Sequence, residues 1–222
     1  MQPERMVLGG ALRTPRAAAI AGVIFAVLLL VILVRLRLAP ESVPNGSHVW
    51  LKDAGIAWIP RLVPFAGIAF LWLVGVIRDR IGQSEDRFFA TVFLGSGLLF
   101  TAMLFVASGI AAGVLADAAE VHTQTSMETW ELDRKIAAVL LNSYAMRMAA
   151  VFMMSIATIG FRTRFMPRWL VFSGFLIALI LLLGIDVTRW VEVLFPIWVL
   201  LFSLETLIVS FKGGRKPDLT AS

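Results

Sequence analysis

Residues 17–34 read AAAIAGVIFAVLLLVILV, eighteen consecutive apolar residues with no charge and no proline. As a helix this run is about 27 Å long at about 1.5 Å per residue. That is close to the roughly 30 Å hydrocarbon core of a bilayer. Arg5, Arg13 and Arg16 precede it, and Arg35 and Arg37 follow. A basic flank before an apolar run also describes a signal peptide. This run, however, is longer than a usual signal core, and no small-x-small cleavage site follows it. It is read as a retained first span.

Outward from this segment, five more apolar runs follow: Gly55–Ile77, Phe88–Ala116, Ile136–Gly160, Trp169–Ile185 and Trp190–Phe211. The chain is 59% hydrophobic over 222 residues, against about 45–50% for a soluble domain. Mean hydropathy is +0.86. The stretches between the runs are too short to bury a core of their own. The expected fold is a single all-α domain over residues 1–222, a polytopic six-transmembrane-helix bundle. Only structures with internally closed backbone hydrogen bonding cross lipid, and no stretch has the alternation of a β-barrel strand.

Basic residues orient the bundle. Arg5, Arg13, Arg16, Arg78, Arg80, Arg87, Arg162, Arg164, Arg168, Lys212, Arg215 and Lys216 flank the runs on one side. Arg35, Arg37, Lys52, Arg134, Lys135 and Arg189 flank them on the other. The twofold excess places both termini in the cytoplasm of a bacterial-type plasma membrane. Trp50, Trp58, Trp130 and Trp190 fall near the outer ends, as an interfacial belt requires. The net charge of +5 is therefore read as retention at the cytoplasmic face, and no nucleic-acid partner is expected. The expected partners are the lipid bilayer and, for a transporter, a second copy of the chain.

The chain has no Cys, which removes disulfides, thiolate metal sites and thiol nucleophiles. His48 and His122 fall in outer loops, too far from the bundle interior to ligate a haem. Asp117, Glu120 and His122 could share one helical turn, but they lie in an acidic segment, 117–135, read as a solvated loop. Gly95-Ser96-Gly97 does not form a nucleophile elbow. No metal, cofactor or enzymatic activity is expected.

Few residues inside the spans could carry a function. Arg147 lies near the middle of the fourth, next to Asn142, Ser143 and Tyr144. An arginine at that depth costs roughly 2.5–3.5 kcal/mol on insertion scales and should face the bundle interior with a partner. Ser143, Arg147, Ser155 and Thr158 share one helical face by spacing. Glu205 is the one acid well inside a span. Counted from the outer ends, Arg147 and Glu205 differ in depth by about 6 Å, so they are expected to pair. Arg61, between Pro60 and Pro64, and Glu192, near Pro196, would shape a vestibule open to the outside. Arg61 snorkelling outward to pair with Glu192 is the structural alternative. Gly109-x3-Gly113 and Ala18-x3-Gly22 are small-x3-small pairs that let helices approach closely.

The first and last hairpins share a pattern. Pro15-Arg16, Gly22 and Ala26 recur as Pro167-Arg168, Gly174 and Ala178, and Trp58 with Pro64 recurs as Trp190 with Pro196. Parallel repeats of this kind occur in transporters.

Two resemblances follow from quoted residues. Gly75-Val76-Ile77-Arg78-Asp79-Arg80-Ile81-Gly82 resembles the Gly-x3-Asp-Arg-x-Gly motif between the second and third helices of the major facilitator superfamily. Gln83 and Ser84 stand where that family has a basic pair, and six spans stand where it has twelve. Arg87 to Gly97, Asn142-x-Tyr144-Ala145-Met146-Arg147-Met148, Pro167-Arg168-Trp169 and Phe195-Pro196-x-Trp198-Val199 together resemble a group of uncharacterised actinobacterial multipass membrane proteins. That resemblance implies the membrane fold and no activity. Two functional readings result. One is a small-solute transporter or permease-like protein centred on Arg147 and Glu205. The alternative is a non-catalytic accessory or assembly membrane protein with a structural buried Arg–Glu pair.

Overall fold

A computed structural model describes residues 14–38, 58–81, 87–119, 127–164, 166–183 and 190–213. Among these residues the protein is helical throughout, with no strand. The helices are α1 (Thr14–Leu38), α2 (Ile59–Ile81), α3 (Arg87–Ala119), α4 (Met127–Val139), α5 (Met146–Thr163), α6 (Arg168–Leu183) and α7 (Leu194–Gly213). A π-helical segment, Leu140–Ala145, joins α4 to α5, and a 3-10 turn, Val191–Val193, opens α7. With α4 and α5 continuous, the described residues form six helical rods. Five are long and apolar enough to cross a membrane, and Arg168–Leu183 is a shorter apolar helix.

The rods follow the apolar runs of the sequence except in the acidic segment 117–135. That segment was expected to be a loop. Instead α3 runs on to Ala119 and α4 begins at Met127. The reason is local. No proline and no glycine occurs from Met127 to Ile159, and Glu131 and Lys135 pair one turn apart, at 3.4 Å, an arrangement that supports a helix. His48, Trp50, Gln83, Ser84, Glu120 and His122 lie outside the described residues, as do the side chains of Asp117 and Trp130.

α1 and α7 run antiparallel. Arg16 meets Ser210 at one end of the α1–α7 pair, and Arg37 meets Glu192 at the other. α1 packs along α2 and α7, α3 along α2 and α5, and α5 along α6. α6 and α7 meet around one anchor. The Trp198 indole N–H donates to the Leu170 carbonyl at 3.1 Å, and a Cβ on Gly174 would lie 3.0 Å from the Trp198 ring.

Phenylalanines fill the bundle axis. Phe25, Phe70, Phe100, Phe152 and Phe195 come from α1, α2, α3, α5 and α7, and each is fully buried. Phe70 sits among them, with ring centroids at 4.5 Å from Phe25, 5.0 Å from Phe100 and 4.9 Å from Phe152. Phe93 stacks on Phe152 at 4.9 Å. These spacings lie in the range where offset and edge-to-face pairs attract, by about 0.5–1.5 kcal/mol each beyond their area. In helices that sit in lipid, where no hydrophobic force acts between them, packing of this kind is what holds a bundle together.

The outside is apolar as well. Trp72 is 68% exposed, and Phe65, Phe172, Leu176 and Val209 are also exposed. An apolar girdle of this extent on the flanks of six rods is compatible with a multipass membrane protein.

The expected internal repeat is not found in the packing: Gly22 of the first hairpin meets Ser203 of the last, whereas Gly174 meets Trp198 within its own hairpin. Gly22 and Gly174 both seat an α7 side chain, Ser203 and Trp198 respectively, and Ala26 and Ala178 are both fully buried. Pro64, however, is exposed on α2 while Pro196 is buried on α7. The shared Trp-x5-Pro spacing therefore falls on different faces, and the two hairpins are not copies of one packing unit.

Candidate functional site

Arg147 is half-buried at the start of α5, directly after the π-helical segment. A π turn shifts hydrogen bonding from i−4 to i−5; here the Met146 N–H donates to the Leu141 carbonyl. That change of register upsets the α-helical pairing of the carbonyls in the segment. Arg147 Nη1 donates to one of them, Ser143 O, at 3.0 Å. Helical side chains lean toward their own N-terminus, so a guanidinium reaches back to this oxygen without strain. Asn142 and Ser143 are half-buried beside it, and Tyr144 is exposed.

The expected pairing of Arg147 with Glu205 is not formed. Among the described residues the ion pairs are Arg37–Glu192 and Glu131–Lys135. Glu205 is half-buried on α7, and α5 scarcely touches α7. Phe152 of α5 and Phe195 of α7 are level, with ring centroids 6.4 Å apart; Arg147 lies five residues before that level and Glu205 ten residues beyond it, so the two charged groups sit at different heights in the bundle.

Several hydroxyls on the apolar helices donate to their own helix. Ser155 donates to Val151 O at 2.9 Å, and Thr158 donates to Met154 O at 2.8 Å. Thr101 and Thr206 likewise donate to the carbonyls four residues back, and Ser96 does so at 2.7 Å. Such back-bonding lets a polar side chain sit at membrane depth without water. Of the stripe expected from Ser143, Arg147, Ser155 and Thr158, the last three each donate to a carbonyl of their own helical segment. Ser203 differs. Its Oγ is buried with no hydrogen-bond partner and lies against Gly22.

The four residues expected at an outer vestibule are split between two surroundings. Arg61 and Pro64 are exposed on α2, whereas Glu192 and Pro196 are buried at the start of α7. Pro64 has no N–H to offer the Pro60 carbonyl four residues back, and Ser108 of α3 supplies a donor there, at 3.4 Å. The proline therefore tightens the α2–α3 contact rather than opening a cavity.

Glu192 pairs with Arg37 of α1, not with Arg61. Its carboxylate is 4% exposed and the guanidinium 19%. This is the most buried charge pair among the described residues, and the sequence reading missed it by assigning Arg37 to a solvated flank. One signal was available. Arg37 closes the first span and Glu192 opens the last, so antiparallel packing of those two helices brings them to one level.

What this arrangement can do chemically is limited. Among the described residues no group of three His, Cys, Asp or Glu could hold a metal ion. Compared with family models, curated proteins and solved structures, the chain matches none.

Proposed function

We propose that the chain is a six-span protein of a bacterial plasma membrane, with both termini in the cytoplasm. In this reading it serves as a non-catalytic accessory or assembly component rather than as a solute pathway. One observation carries it. The bundle axis is closed by five fully buried phenylalanines from five helices. Back-bonded hydroxyls and a locally anchored Arg147 support it further, because none of these groups asks for water. The sixth crossing would be Arg168–Leu183, about 24 Å at the α-helical rise. The basic flanks support the orientation.

A small-solute transporter is the second reading. It is favoured by the π-helical segment beside Arg147, since π turns recur at functional sites. The absence of cysteine from the chain permits a direct comparison of the two. Ser96, Ser155 and Ser203 are buried on α3, α5 and α7, and Ser→Cys is nearly isosteric. Single cysteines at these positions, treated in proteoliposomes with a small water-borne thiosulfonate, should stay unmodified under the accessory reading. Labelling of Ser155→Cys or Ser203→Cys at the rate of an exposed control, Tyr144→Cys, would favour the transporter and remove the first reading.

A further inference from the structure

Two of the rods outrun a bilayer at one end. Arg162 of α5 lies over the Phe89 ring of α3, 5.0 Å from its centroid, so the two helices are level there. A hydrocarbon core of about 30 Å takes up about 20 residues at the α-helical rise. Counted from Arg162, that length ends at Asn142, in the π-helical segment; counted from Phe89, it ends at Gly109. The bundle marks the same level, because Ser108 donates to Pro60 O in the first turn of α2, at 3.4 Å. Residues 109–119 of α3 and all of α4 therefore stand beyond the level where α2 begins. There α4 packs along α3 and the π-helical segment.

One face of this projecting helix is apolar. Leu132, Ile136 and Val139 are 57%, 40% and 49% exposed, and spacings of four and three residues set them in one row. On the flanks of the longer rods, exposed side chains of this kind face lipid. Beyond the core they face water, where an uncovered apolar row is unfavourable. Glu131 and Asp133 stand on either side of the row by helical position, and Glu131 is paired with Lys135 at 3.4 Å. Residues 117–135 carry five Asp or Glu and two Arg or Lys. In a chain of net charge +5, this end is acidic.

We infer that the row on α4 docks a basic amphipathic helix of a partner protein. Its apolar face lies on Leu132, Ile136 and Val139, and its Lys or Arg side chains lie beside Glu131 and Asp133. Charge complementarity carries the choice of occupant. A second copy of the chain would bring an equally acidic hairpin against this one, and anionic lipid headgroups would be repelled by it. Laying the apolar face of a helix on an exposed apolar row is a recurring mode of recognition. The site rests on the spanning and accessory readings proposed above, and it gives the accessory reading a surface to act through.

The test holds the full chain in phosphatidylcholine nanodiscs and uses two synthetic amphipathic helices as probes, one of leucine and lysine, the other of leucine and glutamate. Fluorescence anisotropy reads their binding against empty nanodiscs. The lysine peptide should bind and the glutamate peptide should not. Leu132→Ser/Ile136→Ser should weaken the lysine peptide about tenfold or more. Glu131→Lys/Asp133→Lys should reverse the preference between the peptides. Trp72→Ser, exposed on α2, should change neither. Equal binding of the two peptides to the wild-type protein would overturn the site, as would binding unchanged in both α4 variants. Oxidation of Ile136→Cys to a cross-linked dimer in vesicles would overturn it as well, by making a second copy the occupant. A water-borne maleimide reads the spanning reading separately: Ile136→Cys should react, and Leu176→Cys, exposed on α6, should not. Reaction at both positions removes the spanning reading, and reaction at neither removes the projection of α4. Thermal unfolding in detergent checks that the variants remain folded.

Discussion

Arg37, in the last turn of α1, is ion-paired with Glu192, in the 3-10 turn that opens α7, and the contact joins the first helix of the chain to the last. Arg16 makes the matching junction at the other end. Its guanidinium donates to Ser210 O at 3.4 Å and lies 4.9 Å from the centroid of the Phe211 ring. The ring of rods is thus clasped at both ends along the α1–α7 seam.

The Arg37–Glu192 pair is expected to act as a latch. Removing one partner of a buried pair costs about 3–5 kcal/mol, whereas replacing both with apolar residues can be neutral. Arg37 keeps some contact with solvent, so the lower end applies. Arg37→Met and Glu192→Leu should each lower the unfolding temperature in detergent clearly, and the double change should recover most of the loss. A double variant as unstable as the sum of the two singles would show that the pair is not a coupled unit.

Gly22 and Ser203 give a second test on the same seam. A Cβ on Gly22 would overlap Ser203 Oγ, and crowding of this kind costs about 1–3 kcal/mol. Ser203 Oγ itself has no hydrogen-bond partner, so deleting it loses no bond. Ser203→Ala should therefore be neutral or stabilising, and Gly22→Ala destabilising. Ser203→Ala should also rescue Gly22→Ala. Urea or thermal unfolding of the four proteins reads the cycle; a destabilising Ser203→Ala would show that the hydroxyl has a partner after all.

Phe70 is at the centre of the aromatic cluster. Phe70→Ala should cost about 3–5 kcal/mol, the range for emptying a large core site. Phe70→Leu should cost much less, because most of the volume is kept. The same substitution at Trp72, which is exposed two residues away, should leave stability nearly unchanged. Comparable losses from Phe70→Ala and Trp72→Ala would show that the axis is not where the bundle gains its packing energy.

Topology can be read with reporter fusions after Arg80, after Arg164 and at the C-terminus. All three should report cytoplasm, from the twofold excess of basic residues on that side. A signal from the opposite compartment at Arg164 would remove Arg168–Leu183 as a crossing helix.

The positions of the helices were legible in the chain because membrane insertion is a local property. Eighteen to twenty-five apolar residues without charge must be a helix in lipid, whatever they pack against. The error over 117–135 has the same local origin. Acidic character was taken as loop, yet those residues include good helix formers, and nothing from Met127 to Ile159 breaks the pattern.

Pairing of charges between helices was not legible in the same way. Depth counted from the expected span ends put Arg147 and Glu205 within about 6 Å, but the helix that carries Arg147 begins at Met127 rather than Ile136, and Phe152 rather than Arg147 comes level with Phe195 of α7. Which helices are neighbours, and which face each turns inward, cannot be counted. Those depend on which side chains fill the axis. Phenylalanines filled it, α5 and α7 met at Phe152 and Phe195, and Arg147 turned to the carbonyl of Ser143. Glu192 was assigned to Arg61 from nearness along the membrane normal alone. The α1–α7 seam, closed by Gly22 against Ser203, brings Arg37 to it instead. Composition and spacing thus determined the segments and the expected sidedness, since both follow from the free energy of single residues in water, lipid and the interface. Tertiary packing alone decided which polar groups meet, because that is a property of helix pairs and of the volume left between them.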